Sequence, residues 1–471
     1  MAVAATEHNA LVALHRFGLG ARGGASGDLK SAARDPRGFL KSELSRPGAG
    51  LLEAPGLQSS AENLKALFAR REEMRLARQA QPAPPASGDS MPTQPPQQAD
   101  ARLLQQLFRA ESLARWQRQC AAEAGFIERL VAFWSNHFCV SVAKDGLVRA
   151  SAGAFEREAI RPHVLGRFAD MLLAVERHPA MLQYLDNTSS FGPNSQAGRD
   201  RKRGLNENFA REILELHTLG VGGGYTQADV AALARILTGW TLAGPQARIG
   251  EVGAFVFLPQ AHEPSDEKLL GRAYPSAGEE QGRRALAAIA RHPATATFIA
   301  TKFARHFVAD VPPQGLVKRL ASVFTKTDGD LKALALALIG DDDAWAPPLT
   351  KMRTPQEFLI ATTRLTGRMP EDPGRFNTAA ASLGQPVWQP PGPNGFPDTA
   401  AHWASAQGVK ARLDVANEIA RRAGDSLNAI DLLEIAFGSA ASKETRQTVA
   451  RAESRRQAFA LLLMSPEFQR R

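Results

Sequence analysis

A chain of 471 residues with 44% hydrophobic content can bury a substantial core, which excludes a disordered polypeptide. Its 57 Lys and Arg against 48 Asp and Glu leave a charge of +9, modest for so large a surface; the basic run Arg199–Arg203 is broken by Asp200 and lacks interleaved aromatics, so no nucleic-acid binding is expected. Cys120 and Cys139 sit in no CxxC or Cys/His pattern, which excludes a disulfide framework and a zinc finger.

Residues Met1–Leu14 lack the basic-then-apolar plan of a secretory signal, and no run of about 18 apolar residues occurs anywhere. The expectation is a cytoplasmic protein with no membrane span, or one carried to the periplasm by co-export. Leu11, Leu14 and Phe17, then Leu64, Leu67 and Phe68, recur at helical spacing, so residues 1–78 read as an N-terminal helical segment. Residues 79–99, rich in Pro, Gln and Ser, read as a flexible linker, because proline withdraws backbone donors. Gly18-Leu19-Gly20-Ala21-Arg22-Gly23 matches GxGxxG, but it follows a helical pattern rather than a strand and reads as a helix C-cap.

From residue 100 to 471 a main helical domain is expected, with amphipathic helices over 100–142, 151–175, 178–186, 205–217 and 227–238. Thr226 with Asp229 predicts a capping box. The alternation Ala254-Phe255-Val256-Phe257-Leu258 predicts a strand, half of a small hairpin in a β insert near 250–275. Helical periodicity then returns over 281–289, 293–308, 314–325, 328–339, 355–365, 409–422, 429–437 and 443–464, interrupted by the Pro/Gly-rich loop 385–398. The fold class is therefore mainly α: a large multi-helix body with a small β-hairpin insert.

The stretch Asn206 to His217 carries the most chemistry. On an ideal helix Asn208, Glu212 and Glu215 fall within an arc of roughly 60°, presenting three oxygen donors on one face. Such a face suits Mg²⁺, Ca²⁺ or Mn²⁺, with Asn187 as a further donor unless Asp186-Asn187 simply forms a turn, and with His217 joining only where the Gly-rich run Gly220 to Gly224 ends the helix early; or it suits a carboxylate pair separated in pKa for acid–base work. The plainer alternative is a solvated face on which Arg211 pairs with Glu207 or Glu215. His163, with Arg167 and Asp170 at i+4 and i+7, is a second candidate, either a ligand or general base oriented by a carboxylate or a histidine tied to that carboxylate for structural reasons. His137, at the end of the apolar helix containing Trp134-Ser135-Asn136, is a third, either a site residue or a buried hydrogen-bond hub. His262-Glu263, just past the predicted strand, is either a loop site or a charged turn.

Taken together, Trp134-Ser135-Asn136-His137-Phe138, Arg161-Pro162-His163, Leu185-Asp186-Asn187, Asn206 to Gly220, Gly224-Tyr225-Thr226 and Leu237-Thr238-Gly239-Trp240 resemble the bacterial family known as domain of unknown function 1800. The resemblance spans nearly the whole chain, with departures at His15, where Asn is frequent, at Glu263, where Asp is commoner, and at Phe396, where Trp is common. It implies a neighbour: members are often encoded beside domain of unknown function 1501 proteins, which resemble the sulfatase and alkaline-phosphatase superfamily and tend to carry twin-arginine export signals. Two functions follow. One is a metal-assisted hydrolase or transferase using Glu212, Glu215, His137 and His163; the other is a binding or maturation partner of that exported neighbour. A purely structural hydrogen-bonded core is the third reading of the same motifs.

Overall fold

Proline at the first helical position with a side-chain oxygen before it starts four helices among the described residues, at Pro36, Pro355, Pro373 and Pro466. Thr354 and Glu357 form a capping box around Pro355, and the helix they open ends at Gly367 in the left-handed region. The predicted Thr226–Asp229 box is present, and Asp229 also accepts the Leu270 amide at 2.6 Å. The computed structural model describes residues 2–24, 27–80, 97–201 and 204–471. Most of the expected linker lies outside these residues; the helices Ser60–Ala80 and Gln97–Ala121 flank it and are joined by Arg71 and Asp100 at 3.1 Å.

The chain is 63% helical, with two small antiparallel sheets among the described residues, as the periodicity predicts. Strand β1 (Trp240–Leu242) pairs with β2 (Phe255–Phe257), and β3 (Glu267–Leu269) with β4 (Arg272–Tyr274). The second hairpin turns through Leu270 and Gly271, both at positive φ, which matches the right-handed twist of its strands. The GxGxxG segment does cap a helix: the Gly18 and Gly20 amides bond back to Ala13 and Leu14, and Gly20 has φ +93°.

Two large apolar cores result, with a small third cluster at Leu64, Leu67 and Ala150. The larger joins Leu14 and Phe17 to Phe126, Trp134, Phe168, Trp240 and Phe307; the second, towards the C-terminus, joins Trp116, Phe358, Leu433, Phe459 and Phe468. Each fully buried aromatic or leucine contributes about 1.5–3 kcal/mol through removal of apolar surface from water. The Pro355–Thr366 helix is buried at every residue from Pro355 to Leu365.

Three helical stretches widen into π-helix: Val12–Phe17, Glu156–Ile160 and Ile213–Thr218. Each carries polar side chains into the interior, namely His15 and Arg16, Glu156, and His217. A π-turn rotates fewer degrees per residue than an α-turn, so faces computed from a sequence drift wherever one is inserted. The expected helix 151–175 is divided in this way and then broken by a 3-10 turn at Arg161–His163.

Candidate functional site

The Asn206–His217 stretch begins as the α-helix Asn208–Glu212 and continues as the π-helix Ile213–Thr218. The change of winding takes His217 inside: it is 1% exposed, with Nδ1 2.8 Å from Glu176 Oε1. Glu212 and Glu215 remain half-buried. Glu215 accepts the Tyr225 hydroxyl at 3.4 Å, whereas Glu212 has no hydrogen bond or ion pair among the described residues. Burial raises the Glu212 pKa; Glu215 adds to this, while His217 and Arg211 oppose it. Arg211 makes the plain i−4 contact with Glu207 at 3.2 Å and reaches Gln227 at 2.9 Å. Asn208 donates to Leu185 O at 3.3 Å.

Other elements bring groups that the sequence did not single out. Cys139, just past the Phe126–His137 helix, and Tyr184, ending the Pro179–Tyr184 helix, both feel the Glu212 charge, and burial pushes the Cys139 thiol up to about 12. Lys302, from the Pro293–Phe307 helix, interacts electrostatically with Cys139 and Asp398. Burial lowers its ammonium pKa to about 8, against the pull of those two groups. Its nitrogen lies 5.4 Å from the centre of the Phe298 ring, and it has no hydrogen bond or ion pair among the described residues.

Phe298 in turn packs against Gly220, which sits at φ +81°; a Cβ there would lie 2.6 Å from the ring. Gly220→Ala is therefore expected to cost about 1–2 kcal/mol from backbone conformation alone and to displace the ring beside Lys302. A lowered melting temperature together with altered amine-labelling kinetics at Lys302 checks this.

His137 is sealed in an aromatic box of Phe133, Trp134, Phe138 and Phe298. Its Nε2–H donates to His217 O at 3.0 Å, its Nδ1 is buried without a partner, and burial holds its pKa well below the usual value. It therefore occupies the hydrogen-bond-hub position, tying the Phe126–His137 helix to the π-turn.

On the other side of Cys139 is a cavity of about 80 Å³ beneath the 385–398 loop. Asn136 holds that loop by exchanging hydrogen bonds with Phe396, at 2.9 and 2.8 Å. Gly395 must be glycine here, because a Cβ would lie 2.4 Å from Asn136 O. In the cavity wall, His306 Nδ1–H donates to Asp398 at 2.8 Å, and His306 Nε2 accepts from Arg129 at 3.3 Å. A guanidinium can only donate, so this contact fixes the tautomer of a neutral imidazole. Burial lowers the His306 pKa to about 4. Arg129 pairs with Glu357 at 2.6 Å, yet its Nε is buried without a partner. Trp388, also in the wall, adopts φ +47°, a strained conformation for a bulky residue. Lys302 and His306 are four apart on one helix, a spacing visible in the sequence, but nothing there indicated that Asp398 returns to meet them.

The remaining expected residues lie elsewhere. Asn187 donates to the carbonyls of Leu237 and Trp240 and anchors β1. His163 lines a separate open cleft with Asp170 and His178; Arg167 is extended rather than helical, so the expected i, i+4, i+7 face does not form. His262 Nδ1 lies 3.0 Å from Thr238 O, and the Glu263 carboxylate accepts the Asn194 amides, an arrangement that pins a turn. Among the described residues no three His, Cys, Asp or Glu side chains are grouped to hold a metal ion. Among the described residues, too, no helix is long and apolar enough to cross a membrane.

Residues 12–470 match the model of a family described as "Protein of unknown function (DUF1800)". No curated protein and no solved structure matches the chain.

Proposed function

We propose, for a chain that belongs to the DUF1800 family, an enzyme of the hydrolase or transferase class whose acid–base groups are Glu212 and Lys302. The observation that carries this reading is their shared environment. Burial raises the carboxyl of Glu212 and lowers the ammonium of Lys302 to about 8, moving both towards neutral pH, and each acts electrostatically on Cys139. Groups displaced in this way are suited to giving and taking protons at physiological pH. The His306–Asp398 pair and Arg129, in the cavity next to Cys139, are suited to orienting a polar or anionic substrate group. A divalent cation (Mg²⁺, Ca²⁺ or Mn²⁺) is the candidate cofactor. Glu212 and Glu215, close enough to interact electrostatically, would supply its carboxylate donors, and the Asn208 amide oxygen and water would complete such an ion's shell.

The test is turnover of chromogenic carboxylic and phosphoric esters by purified protein, with EDTA and with each cation. Glu212→Gln and Lys302→Met are each expected to lower kcat/KM by about 10²- to 10⁴-fold while the helical circular-dichroism spectrum is retained. Unchanged turnover in both variants would remove the reading. An inert protein that forms a stable complex with an exported phosphatase- or sulfatase-like protein of domain of unknown function 1501 would replace it with the maturation-partner role.

A further inference from the structure

Away from this site, four helices leave an apolar groove of about 650 Å³, within the size range of small-molecule sites. They are Pro355–Thr366, Pro373–Ser382, Ala406–Ala423 and Arg455–Met464. Leu359, Phe376, Ala379, Val415, Ile419 and Phe459 form much of its lining. Thr362 and Thr366 line it as well, but their hydroxyls donate to the Phe358 and Thr362 carbonyls of their own helix, at 2.8 and 3.0 Å, so they add little polarity to the wall.

The charges on the lining are unevenly matched. Its three acids are each engaged by cations: Asp372 by Arg109, Asp414 by Lys410, and Glu418 by Arg421 and Arg422. Two arginines lack a carboxylate. Arg368 donates to the Ser426 hydroxyl at 2.7 Å and the Ala423 carbonyl at 3.3 Å, and the exposed Arg375 has no hydrogen-bond or ion-pair partner among the described residues. An apolar trough with two guanidiniums unmatched by carboxylate at its edge is complementary to an apolar chain ending in one anionic group.

We infer that the groove binds a free medium-chain fatty acid, with its alkyl chain along Leu359, Phe376 and Ile419 and its carboxylate at Arg375 and Arg368. This site is independent of Glu212 and Lys302.

Isothermal titration with dodecanoate below its micellar concentration tests it, with dodecylamine and dodecanol as comparators. Dodecanoate is expected to bind one per chain and about tenfold or more tighter than dodecylamine. Arg375→Ala is expected to weaken dodecanoate by about tenfold and leave dodecanol unchanged. Ala379→Leu, and separately Val415→Phe, fill the trough and are expected to abolish binding of all three while the helical spectrum is kept. Equal affinity for dodecylamine, undiminished dodecanoate binding in Arg375→Ala, persistence of binding in both filled variants, or no dodecanoate binding at all would each overturn the assignment.

Discussion

Replacing Arg161 with methionine is expected to destabilise the protein by about 3–5 kcal/mol, a large part of the stability of an ordinary domain. Arg161 is fully buried and forms a two-pronged contact with Glu128 at 2.9 and 3.0 Å, while its Nε reaches Glu156 at 3.1 Å. Both partners are themselves buried. Removing the guanidinium leaves Glu128 with Arg118 at 3.4 Å as its remaining ion pair, and Glu156 with Arg115 at 2.9 Å. A carboxylate in the interior with too little compensation is far costlier than the original pair was favourable. Arg161→Lys keeps the charge but loses the planar fork, so an intermediate loss is expected. Shifts in the guanidinium denaturation midpoint measure both variants; a methionine variant as stable as the native protein would contradict the argument. Glu156 also accepts the Ser135 hydroxyl and Trp388 Nε1, so the same substitution should disturb the cavity wall.

Acid should unfold the protein well above the pKa of ordinary carboxylates. His15, His137 and His306 are buried and held neutral: His15 is lowered to about 3, chiefly by burial with Arg353 and Arg364 adding, His306 to about 4, and His137 well below its usual value. In the unfolded chain each takes up a proton below about pH 6.5. Their stabilising contribution is therefore complete above that pH and is lost progressively towards pH 4 for His306 and towards pH 3 for His15. Each proton taken up only by the unfolded state costs about 1.4 kcal/mol per pH unit, so three together remove about 4 kcal/mol per unit. Glu357 and Asp398, held low against the effect of burial by neighbouring cations, add loss in the same direction once the pH falls below about 4.3. Melting temperatures followed by circular dichroism should fall steeply between about pH 6 and pH 4, and His306→Gln should reduce the slope by about a third. A flat profile from pH 7 to pH 5 would show that these imidazoles are not buried as neutral groups.

Much of the architecture was legible because it is local. The Thr226–Asp229 box, the helices at Pro293 and Pro355 and the strand at Phe255–Phe257 follow from side chains a few residues apart. The helix expected over 443–464 instead breaks into Lys443–Ala450 and Arg455–Met464, with Ser454 capping the second part. Of the candidate site, Glu212 and Glu215 were visible as a helix face, and His137 as a polar group in an apolar setting that needed a partner. Lys302 was not visible, since a lysine in an amphipathic helix looks like any solvated cation until its neighbours are known. In the Arg161-Pro162-His163 motif the histidine is the residue that sequence alone marks, because histidine titrates near neutrality. The structure gives the central ionic role to the arginine, for a reason that exists only once Glu128 and Glu156 are buried around it.

By itself, then, the amino-acid order determined the helical class, the hairpin insert and the family, because periodicity, caps and motif strings act over short separations. The tertiary fold alone decided where the π-turns fall, which carboxylates and cations share an interior, and that Asp398 closes on His306 across 92 intervening peptide links. Those outcomes depend on desolvation and on contacts between segments far apart in the chain, and neither is encoded in the spacing of residues along one helix.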